Sequence, residues 1–78
     1  MKNSKITNSQ IVDLVRNASI NFNTGHLRLG QSFMISLSDI NHELYQEITS
    51  TDADCFYNDK KIPKFLDYLQ GKINLIKL

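Results

Sequence analysis

The chain has 78 residues, one cysteine and a near-balanced charge of +1, from 9 Lys and Arg against 8 Asp and Glu. That length holds one domain, burying roughly 60% of the surface its unfolded form exposes, and a lone cysteine excludes an internal disulfide as its staple. The small net charge excludes a strong global pull toward nucleic acid or anionic lipid, so electrostatics can matter here only through segregation.

No apolar run approaches the ~20 residues of a membrane span, and MKNSKITNSQ leads into an amphipathic pattern, not a signal peptide. The expectation is one cytoplasmic domain over residues 1–78, with 1–5 as a loose N-terminal end and no membrane association.

In chain order, Thr7, Asn8 and Ser9 offer N-cap oxygens to a first helix whose buried stripe reads Ile11, Leu14, Val15, Ala18 and Phe22. The breaker cluster Asn21, Asn23, Thr24, Gly25 ends it, with Gly25 expected at positive φ and Thr24 as the next cap. A second helix is expected from His26 to Leu37, on Leu29, Phe33 and Leu37 with Met34 alongside, and Gly30 within it for close helix packing. Ser36, Ser38 and Asp39 interrupt that pattern. Ile40, Leu44 and Ile48 resume it in a third helix capped by Ser38 or Asp39.

The segment TSTDADCFYNDKK has neither a helical period nor alternation, and Asn58-Asp59 marks a turn, so it is expected as an ordered loop. Pro63 then suits the start of a last helix. Ile62, Leu66, Leu69, Ile73 and Ile76 step by 4, 3, 4, 3, an a/d-like seam that makes a homodimer face one expectation. That helix is expected to run through Gly71 to the C-terminus, the alternative being a short strand after a Gly71 stop. The fold class is therefore all-α, a small four-helix domain.

Chemistry-bearing motifs are sparse. Asp52, Asp54, Asn58 and Asp59 begin like a calcium loop, but its glycine position is Tyr57 and its closing Glu position is Pro63. His26, His42 and Cys55 lack the paired spacing of a zinc site. Cys55 sits beside Asp54, whose charge disfavours a thiolate. The glycines of GHLRLGQ follow no phosphate-loop pattern. The expectation is no catalytic residue, no metal and no cofactor.

The informative signal is charge segregation. From Asp39 to Asp59 there are six carboxylates (Asp39, Glu43, Glu47, Asp52, Asp54, Asp59) and no Lys or Arg, while the next nineteen residues carry Lys60, Lys61, Lys64, Lys72 and Lys77 against Asp67 alone. Three of those lysines crowd the start of the last helix, where the macrodipole disfavours cations. Two explanations compete: the loop carboxylates neutralise the lysines internally, or the acidic residues, with Phe56 and Tyr57 as aromatic anchors, dock on a basic protein partner. A helix-turn-helix reading would use NHELYQEI for recognition, whose Glu43 and Glu47 repel phosphate, so nucleic-acid contact falls to the C-terminal lysines as the lesser alternative.

LRLGQSF (27–33) and STDADCFYNDKKIPKFLDYL (50–69) resemble a group of short phage and bacterial proteins that share an R-L-G-Q segment and a D-x-F-Y-x-D-x-x-I-x-x-F segment. The match spans about half the chain, and Cys55 stands where that pattern has Pro. The resemblance implies no activity. It implies a mobile-element setting and one structural unit of Arg28, Gln31, Asp54, Phe56, Tyr57, Asp59 and Ile62, with Arg28 on a loop carboxylate and Gln31 on loop backbone. The functional expectation is a non-enzymatic interaction protein presenting an acidic face, such as an inhibitor that occupies a nucleic-acid-binding site on a host protein; a structural homo-oligomer is the third alternative.

Overall fold

The computed structural model describes residues 5–25 and 27–73, and within them the domain is all-α with four helices. α1 (Asn8–Thr24) starts at a capping box: Thr7 Oγ1 accepts from Gln10 N at 3.0 Å, and Gln10 Oε1 accepts from Thr7 N at 3.1 Å. Two of its four orphan N-terminal donors are thus satisfied, as the Thr7 oxygen led us to expect. Its stripe is narrower than the sequence pattern implied. Leu14 and Ala18 are fully buried, but Val15 and Phe22 remain 42% and 46% exposed, because the neighbouring elements reach only one side of the helix. Gly25 has φ −113°, an extended conformation open to any residue, so the expected positive φ is corrected.

α2 (Leu29–Ile40) begins three residues later than expected and runs three further. Arg28, with extended φ and ψ, is its N-cap residue, and Gln31 Oε1 accepts from Arg28 N at 3.1 Å; Thr24 instead donates its hydroxyl to Ile20 O. The polar residues Ser36, Ser38 and Asp39 do not break the helix, because each is accommodated in place. Ser36 Oγ accepts from Asn21 Nδ2 across to α1, Ser38 Oγ lies 3.0 Å from His42 Nδ1, and Asp39 points to solvent. α3 (His42–Ile48) is capped by Asn41, not by Ser38 or Asp39: Asn41 Oδ1 accepts from Leu44 N, and Asn41 Nδ2 donates to Lys5 O at 2.8 Å. A short side chain with both an acceptor and a donor can thus start a helix and anchor the N-terminal segment together.

A loop from 49 to 58 leads into a 3₁₀ turn (Asp59–Lys61) that continues directly into α4 (Ile62–Gln70), where Pro63 lies in the first turn and removes no helical hydrogen bond. α4 stops at Gly71, which corrects the expected run to the C-terminus. Ile6 N donates to Lys72 O at 3.0 Å, and Ile6 pairs with Ile73 in an isolated parallel bridge. Past the helix end the described chain makes a turn at Gly71 and Lys72 and one bridge residue at Ile73; residues 74–78, on which the strand alternative and the residues Ile76 and Lys77 fall, lie outside the described residues, as does His26.

The core gathers Ile6, Leu14, Met34, Leu37, Leu44, Ile48, Phe65 and Leu69, with Phe33 and Phe65 rings 5.6 Å apart and tilted by 55°. Full burial of each such side chain contributes about 1.5–3 kcal/mol. The seam proposed for dimerisation faces this core: Leu69 has no exposed surface, and Ile62, Leu66 and Ile73 pack against the cluster while still partly exposed. Leu69 is accordingly withdrawn as an interface residue, because its side chain is spent on folding.

Candidate functional site

The loop between α3 and α4 owes its shape to its own polar side chains. Asp54 Oδ2 accepts from Ser50 N at 2.9 Å and Asp54 Oδ1 from Phe56 N at 3.0 Å; Ser50, at φ 70°, makes the sharp exit from α3. Thr51 Oγ1 donates to Ile48 O and accepts from Ala53 N, and Asn58 Oδ1 accepts from Lys60 N to start the 3₁₀ turn. Such side-chain-to-backbone bonds replace a secondary-structure ladder, which explains order without periodicity.

The loop is also fixed to α2 at one point. Asp59 Oδ1 accepts from Gly30 N at 2.9 Å, using a donor free at the helix start, and Cys55 Sγ lies 3.5 Å from Gly30 O. A Cβ at Gly30 would overlap the Cys55 carbonyl oxygen and come within 2.9 Å of Asp59 Oδ1. Gly30 thus serves close packing of loop backbone on helix, where helix-on-helix packing had been expected. The two segments that carry the sequence resemblance meet here. Its details differ: Gln31 binds the backbone of its own helix, and among the described residues Arg28 forms no ion pair.

On one flank of the loop, charges neutralise one another. Asp52 receives Lys64 and, at 3.5 Å, Lys61 beside an open cleft of about 410 Å³ lined by Thr51, Ala53, Asp67 and Tyr68. The hydrogen bond and charge of Lys64, seconded by Lys61, hold the Asp52 carboxyl below its usual range. Behind it, Lys72 Nζ lies 2.7 Å from Glu47 Oε1 and 5.4 Å from the Tyr68 ring centre, while Tyr68 OH donates to the same Glu47 oxygen at 3.1 Å. That arrangement raises the Lys72 pKa through the Glu47 bond, and raises that of Tyr68 through burial first and the Glu47 bond second.

The opposite flank is aromatic. A smaller cleft of about 130 Å³ is lined by Met34, Tyr45, Thr49, Asp54, Phe56 and Tyr57. Phe56 is half-buried against the core, Tyr57 is 82% exposed, and their rings meet edge to face at 4.8 Å. The outer wall is Tyr45, whose ring stacks on His42 at 5.6 Å. Sequence reasoning singled out Phe56 and Tyr57 but missed Tyr45 and Met34. For Tyr45 the signal was position on a face, since it lies on α3 four residues before Thr49, which also lines the cleft.

Of the expected acidic face, then, the fold brings Asp54 together with Phe56 and Tyr57, while Glu47 and Asp52 serve lysines and Asp59 serves Gly30. Asp39 and Glu43 are exposed near the α2–α3 junction. Of the lysines, Lys61, Lys64 and Lys72 have carboxylate partners, which lowers the positive charge available to a phosphate backbone; Lys60 is exposed. Cys55 is fully buried, and burial pushes its thiol up to about 12, with Asp54 and Asp59 adding to the rise. No family model, curated protein or solved structure matches this chain.

Proposed function

We propose that the protein is a small non-enzymatic binding domain that acts by docking on another protein, with the Phe56–Tyr57 end of the loop as its contact surface. The observation carrying this is Tyr57: a large aromatic side chain held 82% exposed on a loop whose backbone is tied by Asp54, Asn58 and the Gly30 junction. Ordering such a loop costs conformational entropy, and a bulky aromatic presented from it gains the isolated fold little beyond its edge-to-face contact with Phe56. A pre-organised aromatic supplies affinity on docking because little freedom remains to be lost.

The acidic surface thereby narrows from six carboxylates to Asp54 within the aromatic cleft, with exposed Asp39 and Glu43 as outlying contributors. The resemblance to short phage and bacterial proteins implies a mobile-element setting and goes no further. The test is affinity capture by tagged protein from a nuclease-treated cytosolic extract, comparing wild type with Tyr57→Ala. A near-stoichiometric protein partner lost in the variant is the expected result. A partner indifferent to Tyr57 but lost on Asp39→Asn and Glu43→Gln would move the contact to the α2–α3 junction, and no partner at all would remove the proposal.

A further inference from the structure

The two flanks of the loop use the same two components differently. At Lys72 the fold sets an ammonium group against a tyrosine ring and a carboxylate, Tyr68 and Glu47. The cleft on the other flank is lined by three aromatic residues, Tyr45, Phe56 and Tyr57, together with Asp54, and no lysine or arginine lines it. Among the described residues Asp54 is in no ion pair. Its two oxygens accept the Ser50 and Phe56 amides, which fixes the carboxylate in place and leaves its net charge uncompensated. Ring faces attract cations through their quadrupole, most strongly where water is partly displaced, and a nearby fixed carboxylate adds to that attraction. The volume of about 130 Å³, also lined by Met34, has room for an alkylammonium head with its last methylenes, the group that the fold already sets against a ring and a carboxylate at Lys72.

We infer that the Tyr45–Phe56–Tyr57 cleft with Asp54 is a receptor for the alkylammonium end of a lysine side chain, unmodified or Nε-methylated, presented by the protein partner. This rests on the docking role proposed above and specifies its chemistry. Tyr57 is the lid ring and Asp54 the charge that selects a cation over an alkyl chain. Thr49 places a hydroxyl at the rim, but that hydroxyl already donates to Tyr45 O at 2.7 Å, so the expected selectivity arises from charge and rings and not from a hydrogen-bond code.

The test is an amide and methyl NMR titration of the full chain at constant ionic strength with three probes: N-acetyl-lysine N-methylamide, its Nε-trimethyl form, and the uncharged N-acetyl-norleucine N-methylamide. Expected are saturable shifts confined to Met34, Tyr45, Thr49, Phe56 and Tyr57, with a dissociation constant on the order of 10 mM for the lysine probes and at least about fivefold weaker binding of norleucine. Tyr57→Ala, at an exposed position that folding does not use, should abolish the shifts. Equal binding of norleucine would make the cleft an apolar groove and overturn the assignment. So would the absence of saturable shifts, or shifts centred on the Asp52–Lys64 flank. A tetramethylammonium control that binds more than tenfold tighter than trimethyl-lysine would reassign the cleft to a free quaternary amine. If capture of a partner depends on Tyr57 while the lysine probes do not bind, the docking role stands and the lysine assignment alone falls; bound lysine probes with no Tyr57-dependent partner give the reverse.

Discussion

Asp52 and Asp54 stand two residues apart in one loop and have opposite fates. Asp52 spends its charge on Lys61 and Lys64 and organises no backbone, whereas Asp54 spends its oxygens on two backbone amides and keeps its charge. The difference is burial and direction: Asp52 is exposed within reach of α4, and Asp54 is half-buried and turned back into its own loop. A surface pair in water is worth little, whereas lost backbone caps leave unsatisfied donors. The flank that carries the ion pairs should therefore matter less to stability than the flank that carries one carboxylate without a cation.

The strongest way to break this comparison is to remove the junction on which both flanks hang. Gly30→Ala should destabilise by about 3 kcal/mol in urea unfolding, since a Cβ there meets the Cys55 carbonyl, which cannot yield as a flexible side-chain end could. The same variant should expose Cys55. In the native protein a thiol pushed up to about 12 and fully buried should resist alkylation at pH 8, reacting only as the chain unfolds, whereas the variant should label far faster at low denaturant.

Asp54→Ala comes next, at about 1–2 kcal/mol for two uncapped amides, and Asp54→Asn should recover part of the loss through the one carbonyl oxygen it keeps. On the other flank the effect should be smaller and set by pH and salt. The folded-state pKa of Asp52 is lowered, so its contribution is present above the usual carboxylate range and fades as pH falls through the folded value. The stability difference between wild type and Asp52→Asn should accordingly shrink on acidification below about pH 4 and under salt near 1 M. Equal sensitivity of both flanks to salt would erase the distinction.

The smallest effect expected is that of Tyr57→Ala, within about 0.5 kcal/mol of wild type in stability, because an exposed ring contributes little to the fold. Combined with lost partner capture, that result would separate the contact surface from the scaffold. A large loss of stability would instead make Tyr57 a structural plug.

Much of the fold was legible because its signals are local. Thr7 with Gln10, the Leu14–Ala18 spacing, Phe33 with Leu37, and Pro63 at a helix start act within one or two turns, so helix type and rough position follow from neighbours in the chain. Boundaries went astray where a distant group satisfied a polar residue. Ser36 looked like an interruption until Asn21 supplied its partner, and Asn41 became the cap by also holding Lys5. Val15 and Phe22 have the period of buried residues, yet periodicity says which side of a helix is apolar and not how much of that side neighbours will cover.

The same division holds at the candidate site. Residue order alone determined that carboxylates and lysines occupy separate segments, that the helices are amphipathic, and that Phe56 and Tyr57 sit in a polar loop. Only tertiary structure decided which carboxylate meets which lysine, that Leu69 belongs to the core, and that Tyr45 and Met34 line one cleft with the loop aromatics and Asp54. Charge pairing and cleft walls depend on distances between residues far apart in sequence, which the packing of α2, α3 and α4 sets and no local pattern encodes.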